Sequence, residues 1–444
     1  MKVTQLSSST VLIKTSDLKI LCDPWLENGE YYGSWSMLEK IDLKKSYKIC
    51  DSADYIYISH IHPDHASKKT LKKISKEKKF LIHKYASPFL KRNLNILGFK
   101  NIIEVENNIN LNLSKETSVK IFAADDCNPE ICKKFLGCNY ETSEIGKRSQ
   151  QIDSALVIKN NNNTLVNLND CVYDMTKSVL KKIIKIYKKV NICLVGYNAA
   201  SEYPQTFKNL NYKQKINECK KIKKQFLEYT KKFVNDLNVD YFIPFAGEFY
   251  LSGRFHKLNK YTPTTSRNEC YNYFNKSELK NKFIMLNYGK TFDLDKPQSN
   301  YKSLTKNYLT ERKRKLSKIK YVYDDTKKPT HIEIEDLLIK SFDRVSFRQK
   351  LFNLRSNTQL SIKYFNKFFN IDFSKEDAKF SIENKKPKKN YLSISCDERL
   401  LKRILLGPKY AHWNNASLGS HISFDREPNK FDRNVHGLLN YLHS

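Results

Sequence analysis

His60-Ile61-His62-Pro63-Asp64-His65 gathers three of the chain's ten histidines into six residues. The segment in front of it, Ala53-Asp54-Tyr55-Ile56-Tyr57-Ile58-Ser59, is rich in β-branched and aromatic residues and reads as a short buried strand. Pro63 has no N–H to give to a ladder, so the histidines fall where a strand ends and a loop begins. On an extended backbone His60 and His62 point the same way, and Asp64 and His65 turn back from the loop. Three imidazoles and a carboxylate converge on one small volume, a donor set that suits zinc or iron. His60, His62, Asp64 and His65 are therefore candidate metal ligands, and Asp64 and His65 are candidate catalytic groups as well.

Outward from this block, Thr10-Val11-Leu12-Ile13-Lys14 and Leu18-Lys19-Ile20-Leu21-Cys22 read as two strands joined by a turn, the second ending at Asp23-Pro24-Trp25. On the other side Ser67 is placed to cap a helix through Leu71 and Ile74. Short strands are expected near residues 80–83, 102–105 and 119–123. Residues 155–158 and 165–168 form a hairpin about an asparagine turn, and a helix near 176–189 leads to a strand at 192–195. The longest helix, about 213–237, repeats apolar residues at three and four: Ile216, Cys219, Ile222, Phe226, Tyr229, Phe233, Leu237. That face fits a globular core, and a basic amphipathic helix on a membrane surface is the alternative. A strand at 241–244 follows. Strands that first pair locally and then alternate with helices predict two packed sheets covered by helices on both outer faces. Residues 1–295 form the expected catalytic domain, 296–328 a basic linker or connecting helix, and 329–444 a smaller C-terminal α+β unit.

The net charge is +32, most of it lysine spread along the whole chain. Spread charge is a solvated surface rather than a concentrated nucleic-acid patch, so nucleic acid is a conceivable partner but not the favoured one. The densest basic run, Glu311-Arg312-Lys313-Arg314-Lys315, lacks the interleaved aromatics of a base-stacking platform. No apolar run is long enough to cross a bilayer, and Met1–Leu6 lacks the apolar core of a secretion signal, so the expected location is the cytoplasm. The ten cysteines show no paired framework and read as reduced thiols. Cys127, Cys132 and Cys138 lie close together but without the usual metal-binding spacing.

The H-x-H-x-D-H block resembles the leading signature of the metallo-β-lactamase superfamily. The wider pattern is most similar to the lactamase-like part of the CMP-N-acetylneuraminate hydroxylases, and more distantly to phospholipases D that cleave N-acyl phosphatidylethanolamines. The pieces that carry the resemblance are Asp23-Pro24-Trp25-Leu26, Tyr57-Ile58-Ser59-His60, Asp64-His65-Ala66-Ser67, Leu168-Asn169-Asp170-Cys171, Tyr203-Pro204-Gln205-Thr206-Phe207 and Pro244-Phe245-Ala246-Gly247, with a weaker match at Phe424-Asp425-Arg426-Glu427-Pro428. The resemblance implies an α+β fold, a four-layer αββα sandwich. Two departures stand out. The hydroxylases carry a Rieske iron–sulfur domain with Cys-x-His and Cys-x-x-His pairs, and this sequence has neither. A two-metal site of the superfamily also adds a histidine in the middle of the domain, whereas here no histidine lies between His83 and His256.

Asp125 and Asp126 stand at about the place of that middle histidine and are candidate ligands, a solvated turn being the alternative. Asp170 matches the aspartate that bridges two metals in the superfamily, an Asn-Asp turn being the alternative. Glu248 and His256 are possible late ligands, and His83, at a strand end, is more simply structural. Tyr197, Asn198, Tyr203 and Glu248 follow strand ends and are candidate substrate-pocket residues, with ordinary loop packing as the alternative. The resemblance gives His60 and His62 one metal, Asp64 and His65 the second, Asp170 the bridge, and Asp125 or Asp126 the remaining position. Two zinc ions are the expected cofactors, with iron as the other candidate. A water whose pKa falls to about 7 on such ions attacks a carbonyl or phosphoryl centre. The expected function is thus a metal-dependent hydrolase of a small or amphiphilic anionic substrate, such as a nucleotide sugar, glycan precursor or phosphodiester. The alternatives are an iron-dependent oxygenase fed electrons by a separate redox partner, a nuclease, and a non-catalytic binding protein. The C-terminal cluster Tyr410-Ala411-His412-Trp413-Asn414-Asn415-Ala416 reads either as a sugar-recognition surface or as a packed turn, and it leaves the oligomeric state open.

Overall fold

The computed structural model describes residues 1–85, 87–124 and 153–444. One sheet has seven strands in the order Lys290–Asp293, Lys2–Gln5, Val11–Lys14, Lys19–Cys22, Tyr55–Ile58, Lys79–His83, Ile102–Val105. It starts as an antiparallel meander and becomes parallel from Lys19–Cys22 onward. The second sheet has six, in the order Val239–Pro244, Val190–Val195, Asn163–Asn167, Ser154–Asn160, Thr117–Ala123, Asn110–Asn112.

Period-two alternation sorts these strands between layers. Ile20, Cys22, Tyr57 and Leu81 from the first sheet share one core with Ile121, Leu156, Ile158, Ile192 and Leu194 from the second, so the sheets meet face to face. Leu21, Ile56, Ile58, Phe80 and Ile82 point the other way, onto Cys50, Leu71, Leu90 and Leu94 of the flanking helices. Val157, Val166, Cys193 and Phe242 likewise pack on Val179, Ile183, Phe233 and Phe274. The result is the expected αββα sandwich. The helix Tyr212–Asp236 buries Cys219, Leu227, Phe233 and Val234 in this fold, which accounts for its apolar stripe. No helix among the described residues is long and apolar enough to cross a membrane.

Residues 296–328 are more than a spacer. Their helix Lys306–Leu316 lays Arg312 across the Met37 and Leu38 carbonyls, at 2.9 and 3.2 Å. Beyond it, a five-stranded sheet ordered Lys379–Glu383, Lys367–Asp372, Gln359–Tyr364, Tyr391–Ser395, Ser423–Glu427 packs on the helix His331–Leu351. That core also takes in Phe207, Leu210, Tyr321 and Tyr323. The segment around Phe207 adds to the sheet edge, where Lys208 N–H donates to the Phe424 carbonyl at 2.7 Å. The C-terminal unit is therefore seated on the sandwich through shared side chains and backbone bonds.

Candidate metal centre

The strand Tyr55–Ile58 ends at Ser59, and the histidines follow in a tight turn closed by His65 N–H and Ala66 N–H donating to the His62 carbonyl, at 3.0 and 2.8 Å. His60 and His65 are fully buried, Asp64 nearly so, and His62 and Asp170 half-buried. His60 Nε2 and His62 Nδ1 lie 3.0 Å apart. Metal–nitrogen bonds of about 2.0–2.1 Å set two nitrogens on one ion roughly 3.0–3.4 Å apart, so this pair is spaced as shared ligands are. On the other side, His65 Nε2 is 3.5 Å from Asp64 Oδ2 and 3.3 Å from Asp170 Oδ1. It is buried and has no hydrogen-bond partner, an unusual state for a buried ring nitrogen. Asp170 turns its second oxygen, Oδ2, toward His60 Nε2 at 3.9 Å.

Asp170 owes this position to the turn after Asn163–Asn167. Asn169 takes a left-handed φ of 37°, which asparagine tolerates, and its amide donates to the Ser154 carbonyl at 2.6 Å. The Asp170 N–H then closes on Asn169 Oδ1 at 2.7 Å.

Around the donors stands a second ring of groups that the sequence reading did not assign. Asp23 is fully buried; its Oδ2 accepts from His65 Nδ1 at 3.0 Å and from Ser59 Oγ at 2.8 Å, and its Oδ1 from Ser59 N–H at 2.7 Å. That fixes a His65 proton on Nδ1 and leaves Nε2 as the ring nitrogen that faces the cluster. His60 Nδ1 lies 2.9 Å from Ser59 Oγ and 3.6 Å from Asp153 Oδ1. The Tyr31 hydroxyl donates to Asp64 Oδ1 at 2.6 Å, leaving Oδ2 for the cluster. His62 Nε2 is met from the C-terminal unit by the Asn414 amide at 3.1 Å. The one available sequence signal was Asp23-Pro24-Trp25, a carboxylate directly after a buried strand.

The electrostatics are those of a crowded donor set. Burial, then His65 and His62, push the His60 pKa far below its ordinary value. Burial brings His62 down to about 4 against the pull of Asp170. Burial also disfavours a charged His65, but Asp170, Asp64 and Asp23 outweigh it and hold the pKa well above the usual imidazole range. Asp64 is raised by burial and by its neighbour Asp170, whereas Asp170, despite burial, is held low by His65 and His62. A buried orphan nitrogen, a carboxylate addressed to two histidines and two nitrogens at ligand spacing fit divalent metal ions. Among the described residues, His60, His65 and Asp170 form a group able to hold one.

Several sequence candidates are engaged elsewhere. Glu248 accepts from the Arg267 backbone N–H at 3.4 Å, and His256 Nδ1 bonds the Gly253 carbonyl at 3.0 Å within its own turn. Asn198 makes a reciprocal pair with the Thr265 backbone, Tyr197 is 1% exposed, and Tyr203 packs on Phe207 and Arg426. His83 is buried against Tyr85, as its structural reading implied. Asp125 and Asp126, and with them Cys127, Cys132 and Cys138, lie outside the described residues.

Residues 2–196 match the family model described as the beta-lactamase superfamily domain. That part of the chain is similar to the domain of this superfamily. Among curated proteins, the chain is 24% identical over 248 residues to a putative Rieske 2Fe-2S iron-sulfur protein of Mycolicibacterium smegmatis, covering 56% of this chain and 43% of that protein. It is 25% identical over 280 residues to the cytidine monophosphate-N-acetylneuraminic acid hydroxylase of Xenopus laevis, covering 60% of this chain and 40% of the relative. The chain thus spans less than half the length of these relatives. Among solved structures, an isothiocyanate hydrolase from Delia radicum gut bacteria superposes with a TM-score of 0.46 at 14% identity, over 66% of this chain and 99% of that one.

Proposed function

We propose that this protein is a metal-dependent hydrolase, with His60, His62, Asp64, His65 and Asp170 holding two divalent ions, zinc first and iron second. The observation that carries this is the Asp170 carboxylate, whose two oxygens face His65 Nε2 at 3.3 Å and His60 Nε2 at 3.9 Å. Asp125 or Asp126 is the proposed further ligand. Bound there, such ions supply Lewis acidity toward a water and toward the substrate's electron-rich oxygen. The chain does the rest. Asp23 accepts the His65 Nδ1 proton, so Nε2 is the nitrogen that would be given to an ion. Tyr31 occupies one oxygen of Asp64 and fixes the direction of the other. His60 and His65 are sealed from solvent, while His62 and Asp170 are reached from outside, so substrate approaches on their side.

The proposed substrate is small or amphiphilic and anionic: a nucleotide sugar, a glycan precursor or a phosphodiester. An acidic substrate accords with a net charge of +32, and a cytoplasmic setting accords with the buried free thiols of Cys22, Cys50, Cys171, Cys193, Cys219 and Cys270. A second reading, an iron-dependent oxygenase drawing electrons from a separate redox partner, is favoured by the names of the curated relatives and by the two carboxylates of the donor set. The test is to load anaerobically purified protein with zinc or ferrous iron and offer it nucleotide sugars and a chromogenic phosphodiester, following products by mass spectrometry. Cleavage with the elements of water added supports the hydrolase. A product carrying one oxygen atom from O2, seen only with iron and a reductant, replaces it with the oxygenase.

A further inference from the structure

Ligating histidines give their second ring nitrogen to an outer partner that sets tautomer and orientation. In the proposed centre, His65 has Asp23 and His60 has Ser59 with Asp153, all from the sandwich. His62 has Asn414, 352 positions away in the helix Trp413–Leu418. With Nδ1 of His62 given to an ion, Nε2 carries the proton and the amide turns its oxygen to accept it, a change of donor role that leaves the contact in place.

The same C-terminal segment reaches the other half of the motif. Tyr31 and Tyr32 are consecutive non-glycine residues in the left-handed region, with φ of 47° and 60°, a conformation that persists only where its surroundings enforce it. The enforcing contacts come from the C-terminal unit. His421 Nε2 donates to the Tyr31 carbonyl at 2.7 Å, and its Nδ1 accepts from the Tyr323 hydroxyl at 2.8 Å. The Tyr32 hydroxyl accepts the His412 N–H at 2.7 Å, and Trp35 Nε1 donates to the Leu418 carbonyl at 3.0 Å. Gly419 permits this closeness, because a Cβ there would stand 2.6 Å from His421 Cδ2 and 3.0 Å from Ser34 Oγ. The Tyr31 ring so placed delivers its hydroxyl to Asp64.

We propose that the C-terminal unit is an integral part of the metal centre: Asn414 is the positioning residue for His62, and His421, acting through the Tyr31–Tyr32 turn, is the positioning residue for Asp64. The inference rests on the two-ion reading above. Neither residue is a ligand, so their effect is on affinity and geometry rather than on the number of donors.

The experiment uses the full chain loaded with cobalt(II), read by visible absorption and by competition with a chelator, with thermal unfolding measured alongside. Asn414→Ala and Tyr31→Phe each weaken cobalt binding 10–100-fold and shift the d–d bands, and Asn414→Asp, which keeps an acceptor for Nε2–H, restores the Asn414→Ala loss. His421→Ala reproduces the Tyr31→Phe loss, and the Tyr31→Phe/His421→Ala double variant binds no more weakly than the worse single one, as expected for members of one chain of contacts. His421→Gln, which offers an amide N–H near the place of Nε2, recovers affinity. The proposal is overturned if the wild type binds two cobalt ions and the Asn414 and His421 variants bind them as tightly with the same spectrum, or if their affinity falls only in step with thermal stability while the spectrum stays fixed. A wild type that takes up no cobalt overturns the two-ion reading itself, a distinct result that removes this proposal with it.

Discussion

Asp23→Asn is the sharpest perturbation of the centre that leaves every proposed ligand in place. Asp23 sits at a φ of 47°, which asparagine also accepts, and the two side chains have the same shape. What changes is hydrogen-bond polarity. The carboxylate accepts three bonds, two from Ser59 and one from His65 Nδ1. An asparagine has one accepting oxygen; if that stays with the Ser59 N–H, its NH2 faces His65. The imidazole answers by moving its proton to Nε2, the nitrogen that faces Asp64 and Asp170. A proton there occupies the lone pair an ion needs. Loss of an outer partner of this kind typically weakens metal binding 10–100-fold, which at about 1.4 kcal/mol per decade is roughly 1.4–2.8 kcal/mol. The assay is competition for zinc between the full chain and a chromophoric chelator, with apo-protein unfolding as a control for the fold. Affinity unchanged within about twofold, by that same scale, refutes the assignment of His65 Nε2 as a ligand atom held by Asp23.

Three further outcomes follow from the same structure. Gly196→Ala sets a Cβ 2.7 Å from the Asn169 carbonyl, directly beside the turn that presents Asp170, so metal affinity falls while the sandwich stays folded; wild-type affinity in the variant would show that the turn absorbs the methyl group. The C-terminal unit is sensitive to acid: burial lowers the pKa of His436 and of His421 to about 4, below the unfolded value near 6.5. A depressed folded pKa gives stability that is full above the unfolded value and lost as pH falls through 6.5 toward 4. Denaturant midpoints therefore drop between pH 7.5 and pH 5, and His436→Gln flattens the slope, whereas a pH-independent midpoint contradicts burial of neutral rings. Phe242→Ala, at a fully buried core position, costs about 3–5 kcal/mol and lowers the melting temperature, and a variant as stable as wild type would mean the core there is loosely packed.

The parts of this architecture that obey a local rule are the parts the sequence makes legible. Tyr55–Ile58 announces itself by its residues, Pro63 marks its end, and the alternation of Ile20, Leu21 and Cys22 already says which faces are buried. Ser67 caps the helix Lys68–Leu71 as its position suggests, accepting from Thr70 N–H. The first strand, Lys2–Gln5, was not anticipated, since its alternating lysine, valine, threonine and glutamine resemble a surface segment until it pairs on both sides. At the candidate site, the histidine block and Asp170 could be singled out from the sequence because they directly follow strands. Asn414 was not, because its partner His62 is reached only after the whole C-terminal sheet has docked. Tyr31 was hidden for a related reason: its left-handed backbone is imposed by His421 and has no local signature. The bonds of Asn198 to the Thr265 backbone and of Glu248 to the Arg267 backbone were likewise hidden, since each joins segments far apart in sequence.

The most direct test of the two-ion centre is the metal content of the full chain, purified without oxygen and then equilibrated with excess zinc, for the wild type and Asp170→Ala. The proposed two-ion centre predicts two ions per wild-type chain and one or none in the variant, because the carboxylate facing both His60 and His65 is gone. A wild type with no bound metal, or a variant that keeps both ions, contradicts it.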